Sequence, residues 1–191
     1  GQIVGGETVG KKTLVASYAH NGQMNRGLRN GGVQYTGGRG ESFGDDHVHV
    51  AVSAVDCHPM RTAARVTALE YAFYYILCYA IDQPASLGHA ISLRYPELEV
   101  HSQVPVALVG LKRDLRDTAM ENGEDLENFV TTEQGQQAAA SINAAQFMEI
   151  SALDLEETHN MIMGLAQGLA LSPDFKRIKN SWRSPSSCVL L

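Results

Sequence analysis

One segment near the start of the chain has the residue types and spacing of a phosphate-binding site. Gly5 and Gly10 enclose four residues, Lys11 follows directly, and the apolar pair Ile3-Val4 comes before them. Glycines at this spacing let backbone N–H groups turn toward a phosphate, and the lysine neutralises its charge. The spacing therefore predicts a phosphate loop between a strand and a helix. A glycine-rich turn with a surface lysine stays open as the other interpretation of these residues alone.

The residue after Lys11 departs from the phosphate-loop pattern. A serine or threonine normally stands there because its hydroxyl holds Mg²⁺, but this chain has Lys12, which cannot ligate a cation. Thr13 comes next, and one residue along a helix turns the side chain by about 100°. Glu7 adds a carboxylate inside the loop. The pattern thus favours a phosphate site and gives little support to magnesium.

The last four residues carry a second chemical signal. Cys188-Val189-Leu190-Leu191 fits a C-terminal prenylation box, and the terminal leucine favours a geranylgeranyl group on Cys188. One lipid chain binds membranes weakly, so basic residues nearby would supply a second attraction, to anionic lipid. Four such residues come before the box: Lys176, Arg177, Lys179 and Arg183. A chance cysteine at this position is the alternative.

Length and composition limit the classes of protein that fit. The chain has 191 residues, of which 44% are hydrophobic and 19% charged, as expected for one globular domain. Its net charge of −6 argues against a nucleic-acid partner, because nucleic acid is usually bound by a basic face. No apolar run reaches the roughly 18 residues that span a bilayer. We expect a domain over residues 1–171 and a flexible tail over 172–191, which is polar and irregular.

Apolar runs alternate with helical patterns along the chain. Strands are predicted at Ile3-Val4, His47–Val55, Phe73–Ala80, Val104–Gly110 and Gln146–Ile150. Helices are predicted at Lys11–His20, Met60–Ala72, Ala85–Val100, Glu133–Ala145 and Asp154–Leu171. This alternation favours an α/β fold with a central, mainly parallel sheet and helices on both faces. Ligands of such sheets bind beyond the carboxyl ends of the strands.

Residues 22–44 fit the alternation poorly. They contain eight of the 18 glycines of the chain. Because glycine raises the entropy cost of ordering a backbone, we expect a mobile loop here, with at most a poor edge strand at Val33–Thr36.

Three further segments can be recognised: Val104–Asp117, Leu77–Leu87 and Glu149–Leu153. They resemble segments of the Rho family of Ras-like small GTPases. Val104–Asp117 is similar to the family's guanine-recognition strand, with its Asn/Thr-Lys-x-Asp motif at Leu111–Asp114. Leu77–Leu87 resembles the segment that enters the third helix, and Glu149–Leu153 resembles the Glu-Cys-Ser-Ala-Leu loop. Residues 117–132 lie where Rho proteins carry an insert helix. With the phosphate loop and the terminal box, the resemblance covers most of the chain and implies a P-loop NTPase fold.

The resemblance implies which residues contact a guanine nucleotide, GTP or GDP. Asp114 would accept hydrogen bonds from guanine N1 and the exocyclic amine, and the aliphatic stem of Lys112 would lie along the base. Ser151-Ala152-Leu153 belongs to the same site, with the Ala152 N–H meeting guanine O6. Lys11 would contact the β- and γ-phosphates. The remaining residues of the implied site are those of the phosphate loop: Gly5, Thr8, Val9, Gly10, Lys12 and Thr13.

The chain departs from the family where GTP is hydrolysed. For the family's magnesium-binding threonine it offers Asn30 or Thr36, and after the third strand it lacks Asp-x-x-Gly and the water-positioning glutamine. Asp56 or His58 would substitute only in part. Leu111 replaces Asn or Thr, which removes a polar tie to the phosphate loop. These departures predict a guanine-nucleotide switch with impaired hydrolysis; the alternative is a catalytically dead pseudo-GTPase acting as a membrane-tethered interaction module.

Partners and location follow from the same resemblance. It implies regulatory and effector proteins of Rho type, and a lipid-anchored position at the cytoplasmic face of membranes with a cytosolic pool. A P-loop kinase or ATPase is a further alternative, and both Lys112-Arg113-Asp114 and the terminal box argue against it.

Overall fold

Strands and helices alternate along the chain, as the sequence predicts. The computed structural model describes residues 2–6, 8–19, 23–29, 32–43, 46–56, 74–99 and 104–171. The strands in these ranges are β1 (Gln2–Gly5), β2 (Gln23–Arg29), β3 (Gly32–Phe43), β4 (Asp46–Asp56), β5 (Tyr75–Ala80), β6 (Val106–Leu111) and β7 (Gln146–Ile150). The helices are α1 (Lys11–Tyr18), α2 (Pro84–His89), α3 (Tyr95–Glu99), α4 (Arg113–Glu121), α5 (Thr132–Ser141) and α6 (Leu155–Leu171), and a π turn (Ala90–Arg94) joins α2 to α3.

The strands form one mixed sheet in the order β2-β3-β4-β1-β5-β6-β7. β4, β1, β5, β6 and β7 are parallel to one another, and β3 pairs antiparallel with both β2 and β4. Every residue of β5 is buried, which is usual for a central strand whose two faces are both covered. The predicted α/β fold with a mainly parallel sheet is confirmed.

The hydrophobic core lies on both faces of this sheet. Along β5, Ile76 and Cys78 face a cluster that includes Leu14 of α1 and Ile162 of α6. The residues between them point to the other face, where Tyr79 packs in a cluster with residues of α3 and α5. This period of two is the geometry of a strand buried between layers. The helices therefore cover both faces, as predicted.

The glycine-rich segment is the largest difference from the sequence analysis. The mobile loop predicted over residues 22–44 is wrong for most of its length, because β2 and β3 form there and pair with each other. Gly37 shows one use of glycine in this segment. A Cβ at Gly37 would lie 2.7 Å from the Cβ of Ala19 and 2.9 Å from the carbonyl oxygen of Val15. Glycine here permits a close approach of α1 to the sheet rather than a mobile backbone.

The region after β6 differs as well. Its first part is α4, which the sequence analysis did not predict, and residues 122–131 form turns and irregular backbone. The insert helix expected over 117–132 is therefore wrong beyond the end of α4, where Gly123 has a φ of 69°. The start of α5 is set by a capping box: the Gln134 N–H donates to Thr131 Oγ1 at 3.2 Å, and the Thr131 N–H donates to Gln134 Oε1 at 2.9 Å.

The other predicted elements differ only at their ends. All five predicted strands are present, with ends shifted by two residues or fewer, and the helix predicted over 85–100 is divided by the π turn. The helix predicted over 60–72 and the tail over 172–191 lie outside the described residues. No helix in the described ranges is both long and apolar enough to cross a bilayer.

Candidate nucleotide site

The predicted phosphate loop joins the end of β1 to the start of α1. Thr8 and Gly10 have positive φ angles of 63° and 104°, and Val9 between them is fully buried. The carbonyl of Gly10 accepts a hydrogen bond from the Leu14 N–H at 3.0 Å, which begins the helix. The first N–H groups of α1 have no partner within the helix and therefore face the loop, where a helix N-terminus attracts anions. Glu7 lies outside the described residues.

The side chain of Lys11 folds back under this loop. Its Nζ donates to the carbonyl oxygen of Gly6 at 2.5 Å and to that of Gly5 at 3.3 Å. Lys11 is only 8% exposed, and a buried ammonium must be hydrogen-bonded to offset its lost hydration. The carbonyl groups of the phosphate loop therefore fix the position of the Lys11 ammonium group, the charge that would neutralise a bound phosphate.

A pocket of about 280 Å³ lies beside the loop. It is lined by Thr8, Gly10, Lys11, Lys12, Thr13, Tyr35 and Ala54. The ammonium of Lys12 lies 5.2 Å from the centroid of the Tyr35 ring, which is a cation–π distance. Two ammonium groups beside a helix N-terminus give the pocket the electrostatics of a polyanion site.

The parallel register brings the remaining predicted segments to the same edge. Leu111, the last residue of β6, pairs with Ile150, the last residue of β7. The loops that begin at Lys112 and Ser151 therefore leave the sheet side by side. Leu111 is fully buried, and a Cβ on Gly10 would lie 3.5 Å from its Cδ1. An apolar contact with the phosphate loop thus stands where an Asn or Thr would make a polar one.

Lys112 and Asp114 have different environments. Lys112 has a φ of 66° and caps α4, and its Nζ forms an ion pair with Asp82 Oδ2 at 3.0 Å. Asp114 lies in the first turn of α4 and is partly exposed. Within the described residues its carboxylate has neither a hydrogen bond nor an ion pair. It is therefore available as an acceptor for a ligand at this edge.

The loop after β7 is tied to helices on two sides. The Ser151 N–H donates to Glu157 Oε2 at 3.0 Å, and the Leu153 N–H donates to Ser151 Oγ at 3.3 Å. From α1, the hydroxyl of Ser17 donates to the Ala152 carbonyl at 2.5 Å. Ser151 and Ala152 are buried, whereas Leu153 is exposed. The helix that follows the phosphate loop therefore also supports the loop expected at the base.

Arg113, the first residue of α4, connects that helix to β7 and to α6, and sequence reasoning gave it no role. Its Nη1 donates to the Glu149 carbonyl at 3.2 Å, its Nε pairs with Asp117 at 3.1 Å, and its Nη2 pairs with Glu157. These contacts hold α4 against the start of α6. Glu157 was missed because an acidic residue in the first turn of a helix is already explained by the helix dipole.

A buried polar network beneath these loops centres on Glu149. Its carboxylate accepts hydrogen bonds from Arg116 Nη2 at 2.6 Å, from Thr132 Oγ1 at 2.8 Å and from the Tyr79 hydroxyl at 3.3 Å. Burial alone would raise the pKa of Glu149, but the hydrogen bonds from Arg116 and Thr132 outweigh it and hold the pKa below its usual value. Burial, together with the charge of Glu149, raises the pKa of Tyr79. The network stabilises the junction of β7, α4 and α5.

Among the candidates for magnesium and water positioning, the structure describes the side chain of Thr36, which is not brought to the pocket. The Thr36 hydroxyl lies 3.0 Å from the Ser53 hydroxyl, within hydrogen-bond distance, in the β3–β4 ladder, and Thr36 does not line the pocket. Its neighbour Tyr35 does, a role the sequence analysis missed. Of Asp56 the structure describes the backbone only, and the other candidates lie outside the described residues: Asn30, His58 and, for lipidation, Cys188.

Comparison with known proteins agrees with this arrangement. The sequence model of the Ras family matches residues 2–170. The chain is 36% identical to GTP-binding protein rho4 of Schizosaccharomyces pombe over 121 residues, which cover 61% of this chain and 55% of that protein. It is 30% identical to Rho-related GTP-binding protein RhoV of Homo sapiens over 163 residues, 79% of this chain and 65% of that protein. GTP-binding protein rho1 of S. pombe is 28% identical over 153 residues, 76% of each chain.

These matches confirm the resemblance on which the sequence analysis relied. The chain spans less than two thirds of the length of rho4 and of RhoV. The family match nevertheless includes the phosphate loop and both loops expected at the base, and membership of the family implies guanine-nucleotide binding. The chain belongs to the Ras family, and within that family it is similar to Rho GTP-binding proteins.

Proposed function

We propose that this protein is a Rho-type signalling protein that binds guanine nucleotides and hydrolyses GTP slowly or not at all. The observation that carries the proposal is the carboxylate of Asp114, which has no partner among the described residues. It lies at the same sheet edge as the two ammonium groups of the pocket beside the phosphate loop, here named the phosphate pocket. One end of that edge suits the N–H donors of guanine, and the other suits phosphates.

The residues described at this edge fit GTP and GDP. Asp114 would accept from guanine N1 and the exocyclic amine, while the stem of Lys112, held by Asp82, would lie along the base. The Ala152 N–H has no acceptor in the described part of the chain, so it is available for guanine O6. Lys11 and the N–H groups of the loop from Thr8 onward would hold the phosphates.

Slow hydrolysis is the second part of the proposal. Positioning and electrostatics supply nearly all the catalysis of phosphoryl transfer. The Thr36 hydroxyl is engaged with Ser53, and Lys12 stands where the magnesium-binding hydroxyl is expected. In a single-turnover assay we expect GTP hydrolysis slower than that of an ordinary Rho protein and little acceleration by a Rho GTPase-activating protein. Strong acceleration would show that the protein is a working GTPase switch.

A pseudo-GTPase that serves as a membrane-tethered interaction module is the second candidate. It is favoured by the same Lys12 observation, because a site without its magnesium ligand can retain binding and lose turnover. In both cases the partners would be regulatory and effector proteins of Rho type. A complete absence of turnover together with retained nucleotide binding would favour the module over the slow switch.

The experiment that tests the binding proposal is direct. The full chain is purified, one sample is denatured, and the nucleotide that it releases is identified by chromatography. In a second, native sample the site is emptied of nucleotide, and GTP and ATP then compete for it. We expect guanine nucleotide in the purified protein and strong discrimination against ATP, because a site built around polar contacts rejects a base that cannot make them. Equal affinity for ATP and GTP would contradict the proposal.

We also propose that the tail anchors the protein at the cytoplasmic face of membranes through a prenyl group on Cys188. The support is the terminal box and the basic residues before it. Cys188→Ser should move the protein from the membrane to the cytosolic fraction of eukaryotic cells. Charge reversal at the four basic residues should weaken membrane binding and leave lipidation intact. An intact-mass measurement that finds Cys188 unmodified would refute the anchor.

A further inference from the structure

The described residues that line the phosphate pocket do not suit a magnesium ion. Mg²⁺ requires oxygen ligands in octahedral geometry and is usually held by one or two carboxylates together with phosphates. The described lining residues include no carboxylate and two lysines, and the hydroxyl oxygens come from Thr8, Thr13 and Tyr35. In the described ranges, no group of three or more His, Cys, Asp or Glu residues is placed to hold a metal ion. A second positive charge close to Lys12 would be repelled.

The ammonium of Lys12 is held at this pocket by an aromatic ring. Lys12 is the second residue of α1, and its Nζ lies over Tyr35 of β3. The Tyr35 side chain is partly buried and packs against the hydrophobic core, so the ring is a fixed platform. Tyr35 was missed by the sequence analysis because it lies in the segment expected to be mobile. Its position follows from the pairing of β3 with β4, which places Tyr35 opposite Ala54.

Strand β2 also places a basic residue on the face of the sheet that carries Tyr35. In the β2–β3 ladder, Arg26 lies opposite Tyr35. Residues directly opposite one another in an antiparallel pair project from the same face of the sheet. The face that carries Tyr35 therefore also carries Arg26, which is exposed. Basic groups of α1 and of β2 therefore lie on the face of the sheet that carries Tyr35.

We propose that Lys12 takes the place of the divalent cation, so that this site binds guanine nucleotide without magnesium and Tyr35 positions the replacing ammonium. This inference rests on the proposed function, since it concerns the phosphates of the same nucleotide. A lysine is suited to the role because its compact charge is carried on a flexible four-carbon stem. It can leave the Tyr35 ring for a phosphate oxygen without any movement of the backbone of α1.

The test is a titration of the full chain, emptied of nucleotide, with fluorescently labelled GDP in excess magnesium chloride or excess EDTA. For the parent chain we expect dissociation constants that agree within about twofold in the two conditions, because no binding energy comes from the metal. Lys12→Gln should raise the dissociation constant about tenfold or more in both conditions, since a hydrogen bond to a charged group is lost. Lys12→Arg, which keeps the charge, should recover part of that loss.

Lys12→Thr is the most informative variant because it restores the usual hydroxyl. We expect weak binding in EDTA and tighter binding in magnesium, so that a metal dependence absent from the parent appears. Tyr35→Leu should raise the dissociation constant about two- to fivefold, as expected for an exposed cation–π pair. Tyr35→Phe, which keeps the ring, should lose less than Tyr35→Leu. Thermal melting of each variant shows whether it is folded before its affinity is compared.

The outcomes separate this inference from the proposed function. If EDTA weakens binding by the parent tenfold or more, and Lys12→Gln behaves like the parent, the metal replacement is wrong while guanine-nucleotide binding stands. If neither condition gives binding of labelled GDP, the proposed function fails and the replacement fails with it. Equal binding in both conditions, abolished by Lys12→Gln and made metal-dependent by Lys12→Thr, supports both.

Discussion

The part of the sheet edge expected to bind the base, here the base side, and the part expected to bind the phosphates, here the phosphate side, are built differently. On the base side, Arg113 links α4 to the start of α6, and the carboxylate of the partly exposed Asp114 has no partner among the described residues. On the phosphate side, the segment expected to be a mobile loop forms β2 and β3, and Lys12 replaces the expected hydroxyl. The difference teaches that recognition of the guanine base and the response to the γ-phosphate of GTP are separable. Recognition needs a rigid edge, whereas the response needs a segment that can rearrange.

The pairing of β3 shows why this phosphate side resists rearrangement. β3 is hydrogen-bonded to β2 on one edge and to β4 on the other over most of its length. Each backbone hydrogen bond contributes about 0.5–1.5 kcal/mol net, and a broken one leaves polar groups that must find other partners. A movement of β3 would break bonds on both edges at once. We therefore expect little change in this region between the GDP and GTP states.

The largest expected effect is the loss of base selectivity in Asp114→Ala. Removing the acceptor for guanine N1 and the exocyclic amine should reduce the preference for GTP over ATP by about ten-thousandfold, the lower end of the range for sites built on a polar contact. Competition binding measures it. Glu121→Ala is the matched control, because Glu121 is an exposed acidic residue of the same helix, and it should change the preference less than twofold. An unchanged preference for GTP over ATP in Asp114→Ala would contradict the role given to Asp114 on the base side.

The second prediction concerns the stability of the base side. The Arg116–Glu149 ion pair is buried, with side chains 11% and 7% exposed, so Arg116→Leu leaves a buried carboxylate without its charged partner. We expect a loss of about 3 kcal/mol in the free energy of unfolding, measured with urea. The double variant Arg116→Leu, Glu149→Leu should recover much of this loss, because it removes both charges. A single variant as stable as the parent would show that the network is not structural.

The third prediction concerns the close packing of α1 against β3 on the phosphate side. Gly37→Ala should cost about 1–3 kcal/mol, because its Cβ would meet both Ala19 and the backbone of Val15. Gly40→Ala is the matched control in the same strand, where nothing lies within 4 Å of an added Cβ. It should change stability by no more than about 0.5 kcal/mol. Equal effects of the two changes would mean that α1 does not pack on β3 as described.

The smallest expected effect is a pH dependence that originates from Glu149. Its folded-state pKa lies below the usual 4.5, so its contribution to stability is complete above pH 4.5. The contribution is lost as the pH falls from 4.5 through the lower folded-state pKa. Urea unfolding between neutral and acidic pH should therefore show a decline that is shallower in Glu149→Gln. Glu133→Gln, at an exposed position of α5, should retain the full decline; identical curves for all three proteins would contradict the assignment.

The sequence predicted the parallel half of the fold well because its signals there are local. β5 and β6 are short apolar runs followed by polar residues, and the motif at Leu111–Asp114 follows β6 directly. The carboxyl ends of parallel strands meet at one edge of the sheet, so the sequence alone could predict that Lys112 lies close to Ser151. Contacts that depend on side-chain reach, such as those of Arg113, could not.

The glycine-rich segment could not be predicted because its order depends on partners far along the chain. A strand with many glycines has a weak intrinsic preference, and β3 is stabilised by pairing with β4 and by its contact with α1. The glycine pattern that argued for a loop marks a close approach of α1 at Gly37. The role of Tyr35 was hidden for a related reason, since the strand expected at Val33–Thr36 was a poor edge strand, whereas β3 is paired on both edges.

The place of β1 in the sheet has a consequence for the order in which the protein folds. β1 is flanked by β4 and β5, and Gln2 pairs with both Ser53 and Tyr75. The antiparallel pairs β2–β3 and β3–β4 close over short stretches of chain and can form early, whereas β1 must wait for strands made much later. The phosphate loop begins where β1 ends, so it acquires its shape only after the centre of the sheet has closed. A newly synthesised chain therefore gains the ability to bind nucleotide late, and binding at that stage would favour the completed fold.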